Sequence, residues 1–166
     1  MSRLAQLFAL ALGIVLGVAS FAAQEYHTTE QWRAKYDREA DPAHKAKLLI
    51  PLGESEFKDA QAALANDKTA EAVEMLKKYL DEAQSCEKDL ESKYPDPLKH
   101  AGGYKELQIS IRESLRRLDS IIVGLNEDDR KPFVEIRGQL DEIDRHLIQQ
   151  LFPKQPANDG TGKPKR

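Results

Sequence analysis

The run Tyr104, Leu107, Ile111, Leu115, Leu118, Ile122 and Leu125 advances by threes and fours, and only one local structure uses that spacing. An α-helix puts residues three and four apart on one face, so these side chains form a single apolar stripe that must be covered. The same period recurs in Ala72, Leu76, Tyr79, Leu80, Ala83, Cys86 and Leu90, and again in Phe133, Ile136, Leu140, Ile143, Leu147 and Leu151. Ala46, Leu49, Ile50, Phe57, Ala60 and Leu64 keep helical phase to about residue 65. No segment shows the two-residue alternation of a half-buried strand. The predicted fold is all-α: an up-down antiparallel bundle of four long helices plus a short N-terminal helix, with an array of helical hairpins as the alternative.

Local signals place the helix ends. Thr28 and Gln31 form a capping box ahead of Trp32, Tyr36 and Ala40, which share one face of a short first helix with few apolar contacts to offer. Asp41-Pro42 and Asp96-Pro97 each combine a cap with a proline at the first helical position. Asn66-Asp67 is predicted to turn the chain and cap the third helix, which ends at Tyr94-Pro95. Gly102-Gly103 is expected to interrupt the first turns of the fourth helix. Glu127, Asp128 and Asp129 suit the positive N-terminal end of the last helix, and Pro153 stops it. Pro51 falls inside a stripe; lacking an amide hydrogen and clashing with the Lys47 carbonyl, it predicts a kink or break between residues 47 and 52.

The N-terminus carries a different message. Arg3, the apolar run from Leu4 to Val18 and the small-x-small triplet Ser20-Phe21-Ala22 have the layout of a secretory signal peptide over residues 1–22. The expected location is periplasmic or secreted. The alternative is a membrane anchor through an uncleaved segment, since the run to Ala23 approaches the roughly 20 residues that span a bilayer. The helical domain is then 23–152, followed by a tail over 153–166 that holds no large apolar residue beyond its start and reads as disordered.

Charge and cysteine narrow the function classes. The chain has a formal net charge of −3, one unit more negative without Arg3, and its strongest basic cluster is Lys154, Lys163, Lys165 and Arg166 in the tail. A nucleic-acid partner is not expected, because binding one requires a basic face that releases counterions. The single cysteine, Cys86, cannot form an internal disulfide, and its place on a stripe predicts a buried apolar role.

No sequence pattern carries a catalytic chemistry. Ser55, Ser85, Ser110, Ser114 and Ser120 lie in helices without a nucleophile elbow, and Gly102-Gly103 lacks the strand and lysine of a phosphate loop. For a metal, Glu142 and His146 stand one turn apart on one helix face, a spacing at which carboxylate and imidazole can share an ion. Haem would have Met75 and His146 as ligands, and covalent attachment is excluded by the lack of Cys-x-x-Cys-His. No cofactor is called for. The most distinctive polar pattern is Gln108, Arg112, Arg116 and Asp119, a strip beside the fourth helix's stripe. The arginines are expected to pair with Glu135, Glu142 or Asp144 and set helix register, or else to dock a carboxylate or other anion from a partner.

The segment from Ala46 to Ala83, with Leu52-Gly53, Phe57, Ala70, Ala72, Leu76 and Tyr79, resembles a tetratricopeptide repeat. It departs from that family in the length of its first helix and in having no second copy. The mature region, through Tyr104-Lys105-Glu106-Leu107-Gln108, Arg112 to Asp119 and Leu151-Phe152-Pro153, is similar to an uncharacterised group of exported bacterial all-helical proteins, a resemblance that implies no activity. The reading that results is an exported, non-enzymatic protein-binding or envelope scaffold module, with a metal- or cofactor-binding bundle as the alternative. A protein partner is expected, and a membrane only if the leader is retained.

Overall fold

A computed structural model describes residues 28–153. The described residues form five α-helices and no strand: α1 (Thr29–Arg38), α2 (Pro42–Leu64), α3 (Thr69–Lys93), α4 (Ala101–Gly124) and α5 (Glu127–Leu151). None of these helices is long and apolar enough to cross a membrane. The leader and the tail beyond Pro153 fall outside the described residues.

The helices start and stop for mixed reasons. The capping box is present, with Thr28 Oγ1 accepting from the Gln31 amide and the Thr28 amide donating to Gln31 Oε1 at 3.0 Å. Asp41 precedes Pro42 as predicted but caps nothing; its Oδ1 accepts from Lys93 Nζ at 2.9 Å and Tyr94 O–H at 2.7 Å, tying the end of α3 to the start of α2. These two donors, Lys93 foremost, hold the Asp41 carboxyl down at about 2. Between α2 and α3 the predicted turn forms, but Asp67 supplies a left-handed residue (φ 58°) and Lys68 occupies the cap position. Asp96 caps a turn rather than a helix, accepting from the Leu98 and Lys99 amides, and α4 begins only at Ala101.

Both glycines expected to interrupt α4 lie within it. Gly103 is buried because the helix starts meet there: a Cβ would stand 2.7 Å from Leu90 Cδ2 and 3.0 Å from Ala43 Cα. Nor does Pro51 break α2, which is helical throughout. Leu49, Leu52 and Gly53 are buried on either side of it, so packing holds the segment, and exposed Lys47 leaves the orphaned carbonyl to water.

Four helices close around one core. α2 packs on α3 and α4, and α5 packs on α4 and α3, so α2 and α5 occupy opposite corners. Helix directions alternate along the chain, as the short connections require. The neighbours are not all sequential, however: α4 lies beside and parallel to α2, with Gly103 against Ala43 and Arg117 facing Glu54. α5 likewise runs parallel to α3. Every predicted stripe residue of α3 and α5 is buried; on α4, Ile121 takes the buried place while Ile122 and Leu125 are half-covered, and on α2 Ile50 and Leu64 are half-covered.

At the centre Tyr79 and Phe57 meet edge to face, ring centroids 5.5 Å apart. The Tyr79 hydroxyl lies 2.9 Å from Ser110 Oγ and accepts from Ser114 Oγ at 2.7 Å. Three buried hydroxyls thereby satisfy one another, which removes the penalty of burying them. The α2–α3 hairpin buries its apolar face beneath α4, with α5 completing the cover of α3.

Candidate functional sites

Parallel α3 and α5 bring two pairs of polar side chains together, each pair one helical turn apart. Glu87 and Glu91 come from α3, His146 and Gln150 from α5. His146 Nδ1 stands 2.9 Å from Glu87 Oε1 and 3.7 Å from Glu91 Oε1. One ligand-type atom from each of these three residues lies within 4.8 Å of the others. Gln150 Nε2 donates to Glu91 Oε1 at 2.5 Å and lies 3.2 Å from His146 Nε2, while its Oε1 is buried without a donor. Burial pushes the Glu87 carboxyl above the usual carboxylate range, against the pull of the adjacent imidazole.

The sequence pairing of Glu142 with His146 is half of this arrangement. Both line one cleft of about 400 Å³ with Gln84, Glu87, Lys88, Gln139 and Ile143, but Glu142 is exposed and outside the close cluster. Glu87 and Glu91 were missed because their partner comes from another helix. The available signal was an i, i+4 carboxylate pair flanking Cys86 and Leu90. The haem pairing does not form: Met75 lines a different cleft, three turns and about 18 Å along α3 from Glu87.

A second cluster fastens α1 to the bundle. Arg33 bridges two carboxylates, its Nη2 donating to Glu56 Oε1 of α2 and its Nη1 to Glu82 Oε1 of α3. The Glu56 side chain is 2% exposed, and the second oxygens of both glutamates are buried without a donor. One guanidinium is shared between the two carboxylates, with the Lys78 ammonium acting on both from the neighbouring turn of α3. Burial, aided by the Glu82 charge, pushes Glu56 up to about 8, and burial raises Glu82 as well. The Tyr36 hydroxyl donates to the Glu82 carbonyl at 3.0 Å, and Thr29 Oγ1 donates to Asp59 Oδ2 at 2.5 Å. The short helix is thus attached by polar bonds together with the packing of buried Tyr36 and half-buried Trp32 on the core. Glu56 sits in the apolar phase of α2, beside Phe57, which is the signal that sequence reading passed over.

The Gln108, Arg112, Arg116 and Asp119 strip divides. Gln108 Nε2 donates to Asp144 Oδ1 at 2.9 Å and Asp119 Oδ1 accepts from Arg137 Nε at 2.6 Å, and these two bonds join α4 to α5. Arg112 and Arg116 are exposed and form no ion pair among the described residues. The expected pairings with Glu135, Glu142 or Asp144 are therefore replaced by bonds from the strip's two ends.

An apolar cleft of about 510 Å³ opens where α1 meets α2, lined by Trp32, Leu48, Ile50 and Pro51 and rimmed by Glu39, His44, Lys47 and Glu106. Cys86 is buried, with burial pushing its thiol up to about 12, and it has no disulfide partner. No protein-family model matches this chain, and no curated protein or solved structure does so at a significant level.

Proposed function

We propose that this chain is an exported, non-enzymatic helical module that binds a partner protein through the cleft over Pro51. The observation that carries the reading is the cleft itself: Trp32, Leu48, Ile50 and Pro51 remain only partly covered after the bundle has closed. Apolar side chains gathered in a concave surface with a charged rim suit an apolar anchor from a partner. Glu39 and Glu106 on one hand and His44 and Lys47 on the other give the rim both signs of charge, which favours an amphipathic peptide segment over a lipid or a polyanion. Residues 1–22 supply the export signal in this reading, and the membrane is a partner only where that segment is retained.

Two measurements test it. Cell fractionation with intact-mass determination reports whether residues 1–22 are removed and where the product resides; a full-length cytoplasmic product ends the export reading. Cross-linking in the native compartment, with Leu48→Asp and Ile50→Asp as comparators, reports the surface. The reading requires one defined adduct that both substitutions abolish while the melting temperature stays unchanged. An adduct indifferent to both substitutions moves the interface elsewhere.

A further inference from the structure

We propose that Glu87, Glu91 and His146 form a binding site for a divalent transition ion of the zinc class on the seam between α3 and α5. Convergence is the first argument. Ligand atoms around a tetrahedral ion at about 2 Å are separated by a little over 3 Å. His146 Nδ1 lies 2.9 Å from Glu87 Oε1 and 3.7 Å from Glu91 Oε1, so small rotamer adjustments bring all three onto one ion. The donors are already supported by two packed helices, with Ile143 and Leu147 buried on either side of His146.

Charge is the second. Like charges one turn apart on a helix repel, and Glu87 and Glu91 are joined at close range by an imidazole and the neutral amide of Gln150, with Lys88 as the nearby fixed cation. The Glu87 side chain is 14% exposed, which denies its carboxylate most of its hydration. A dication supplies the missing positive charge to both oxygens at once.

Gln150 provides an independent third. A metal-bound imidazole donates its other N–H to a fixed acceptor, commonly a carbonyl or carboxylate. The Gln150 amide stands 3.2 Å from His146 Nε2, and its Oε1 is buried without a donor. Half a turn of that amide lets Oε1 accept the Nε2–H of a His146 coordinated through Nδ1. Turning the amide also withdraws its N–H from Glu91 and sets the amide oxygen in its place, so the Glu91 oxygen must move off Gln150, toward the ion.

The donor set selects the ion class. One imidazole with two carboxylates fits zinc and its first-row neighbours, whereas calcium and magnesium take oxygen ligands alone. The cleft beside the cluster leaves room for a water as fourth ligand, with Glu142 on its wall.

The test uses the full mature chain, zinc chloride as the probe and competition with a chromophoric chelator. Wild type is expected to bind one zinc per chain, with calcium and magnesium at millimolar concentration failing to displace it. His146→Gln and Glu91→Gln should each weaken binding by at least about tenfold, and Gln150→Leu by about tenfold. His44→Gln controls for the other imidazole near carboxylates, those of Glu39 and Asp41, and should leave binding unchanged. Cobalt substitution gives a second readout, since visible absorption that His146→Gln removes reports coordination by that residue. All three seam positions are at least partly exposed, and circular dichroism of each variant verifies its fold. Wild-type affinity no tighter than that of His146→Gln, or loss of binding in His44→Gln alone, overturns the proposal. Because the seam cleft shares no lining residue with the cleft of Leu48 and Ile50, failure here leaves the Pro51 cleft untouched.

Discussion

Gly53 of α2 lies against the Tyr79 ring of α3 so closely that a Cβ at position 53 would stand 2.7 Å from Tyr79 Cε2. The ring has nowhere to retreat. It is fully buried, edge-on to Phe57, and its hydroxyl is engaged by Ser110 and Ser114.

That contact reverses the usual effect of a helical Gly→Ala change. Alanine ordinarily gains about 1 kcal/mol in a helix interior, but Gly53→Ala forces overpacking that costs typically 1–3 kcal/mol. We expect a net loss of about 1 kcal/mol. Gly102→Ala, with nothing within 4 Å of its Cβ, should gain about 0.5 kcal/mol. Urea denaturation of the two variants checks the opposite signs.

The Arg33 cluster makes stability depend on pH. Glu56 is raised in the fold from its ordinary 4.5 to about 8, so the folded chain binds more protons than the unfolded chain between those values. Stability from this group is therefore present at low pH and declines as pH rises through about 8, with a slope of at most about 1.4 kcal/mol per pH unit. Glu56→Gln should flatten that part of the profile. A denaturation series from pH 5 to pH 9, each value being about a unit apart, compares the two chains.

Removing the cation is the more severe change. Arg33→Ala leaves Glu56 and Glu82 facing one another without their shared donor, and breaking a buried pair costs about 3–5 kcal/mol. Protonation of the carboxylates relieves part of this, so we expect a loss of about 2–3 kcal/mol near neutrality and less in acid. Arg33→Lys should not restore it, because an ammonium cannot span two carboxylates as the planar fork does. Limited chymotrypsin digestion should cut at Tyr36 faster in both variants, a residue buried in the intact protein.

Arg112→Ala and Arg116→Ala should each change stability by less than about 0.5 kcal/mol, since both side chains are exposed and outside the α4–α5 bonds. Thermal melts decide it. A loss above about 1 kcal/mol would show that the arginines hold the helices together.

Cys86 should react with a thiol reagent only as fast as the protein opens. Its side chain is buried, its Sγ lies 3.7 Å from the Pro42 carbonyl, and its thiol is held up at about 12, so the reactive thiolate is scarce. Labelling rates followed across urea concentration should track the unfolding rate. Fast labelling in buffer would place the thiol at the surface.

Legibility in the sequence followed the range of the interaction. Phe133 to Leu151 on α5 and Ala72 to Leu90 on α3 were readable because a stripe is written in consecutive turns of one helix. Pro51 misled for the same reason: a local rule forecast a break, and packing of Leu49, Leu52 and Gly53 held the helix together. His146 was singled out as a metal-ligand candidate, and it lies in the polar cluster of the α3–α5 seam. It was paired with Glu142 on its own helix, however, because the parallel seating of α3 that delivers Glu87 and Glu91 leaves no mark in sequence spacing.

By itself the chain determines that it is helical, where most helices begin and end, and which side chains of each must be covered, because these follow from backbone geometry and the hydrophobic effect along a few turns. Only the tertiary structure decides which covered faces meet. Ala43 and Gly103 seat α4 closely beside α2, and α5 then lies parallel to α3. That choice places His146 against Glu87 and Glu91, while α1, packed on α2, carries Arg33 to Glu56 and Glu82. Both polar clusters join residues 23 to 59 positions apart, and their charges act on each other only through space.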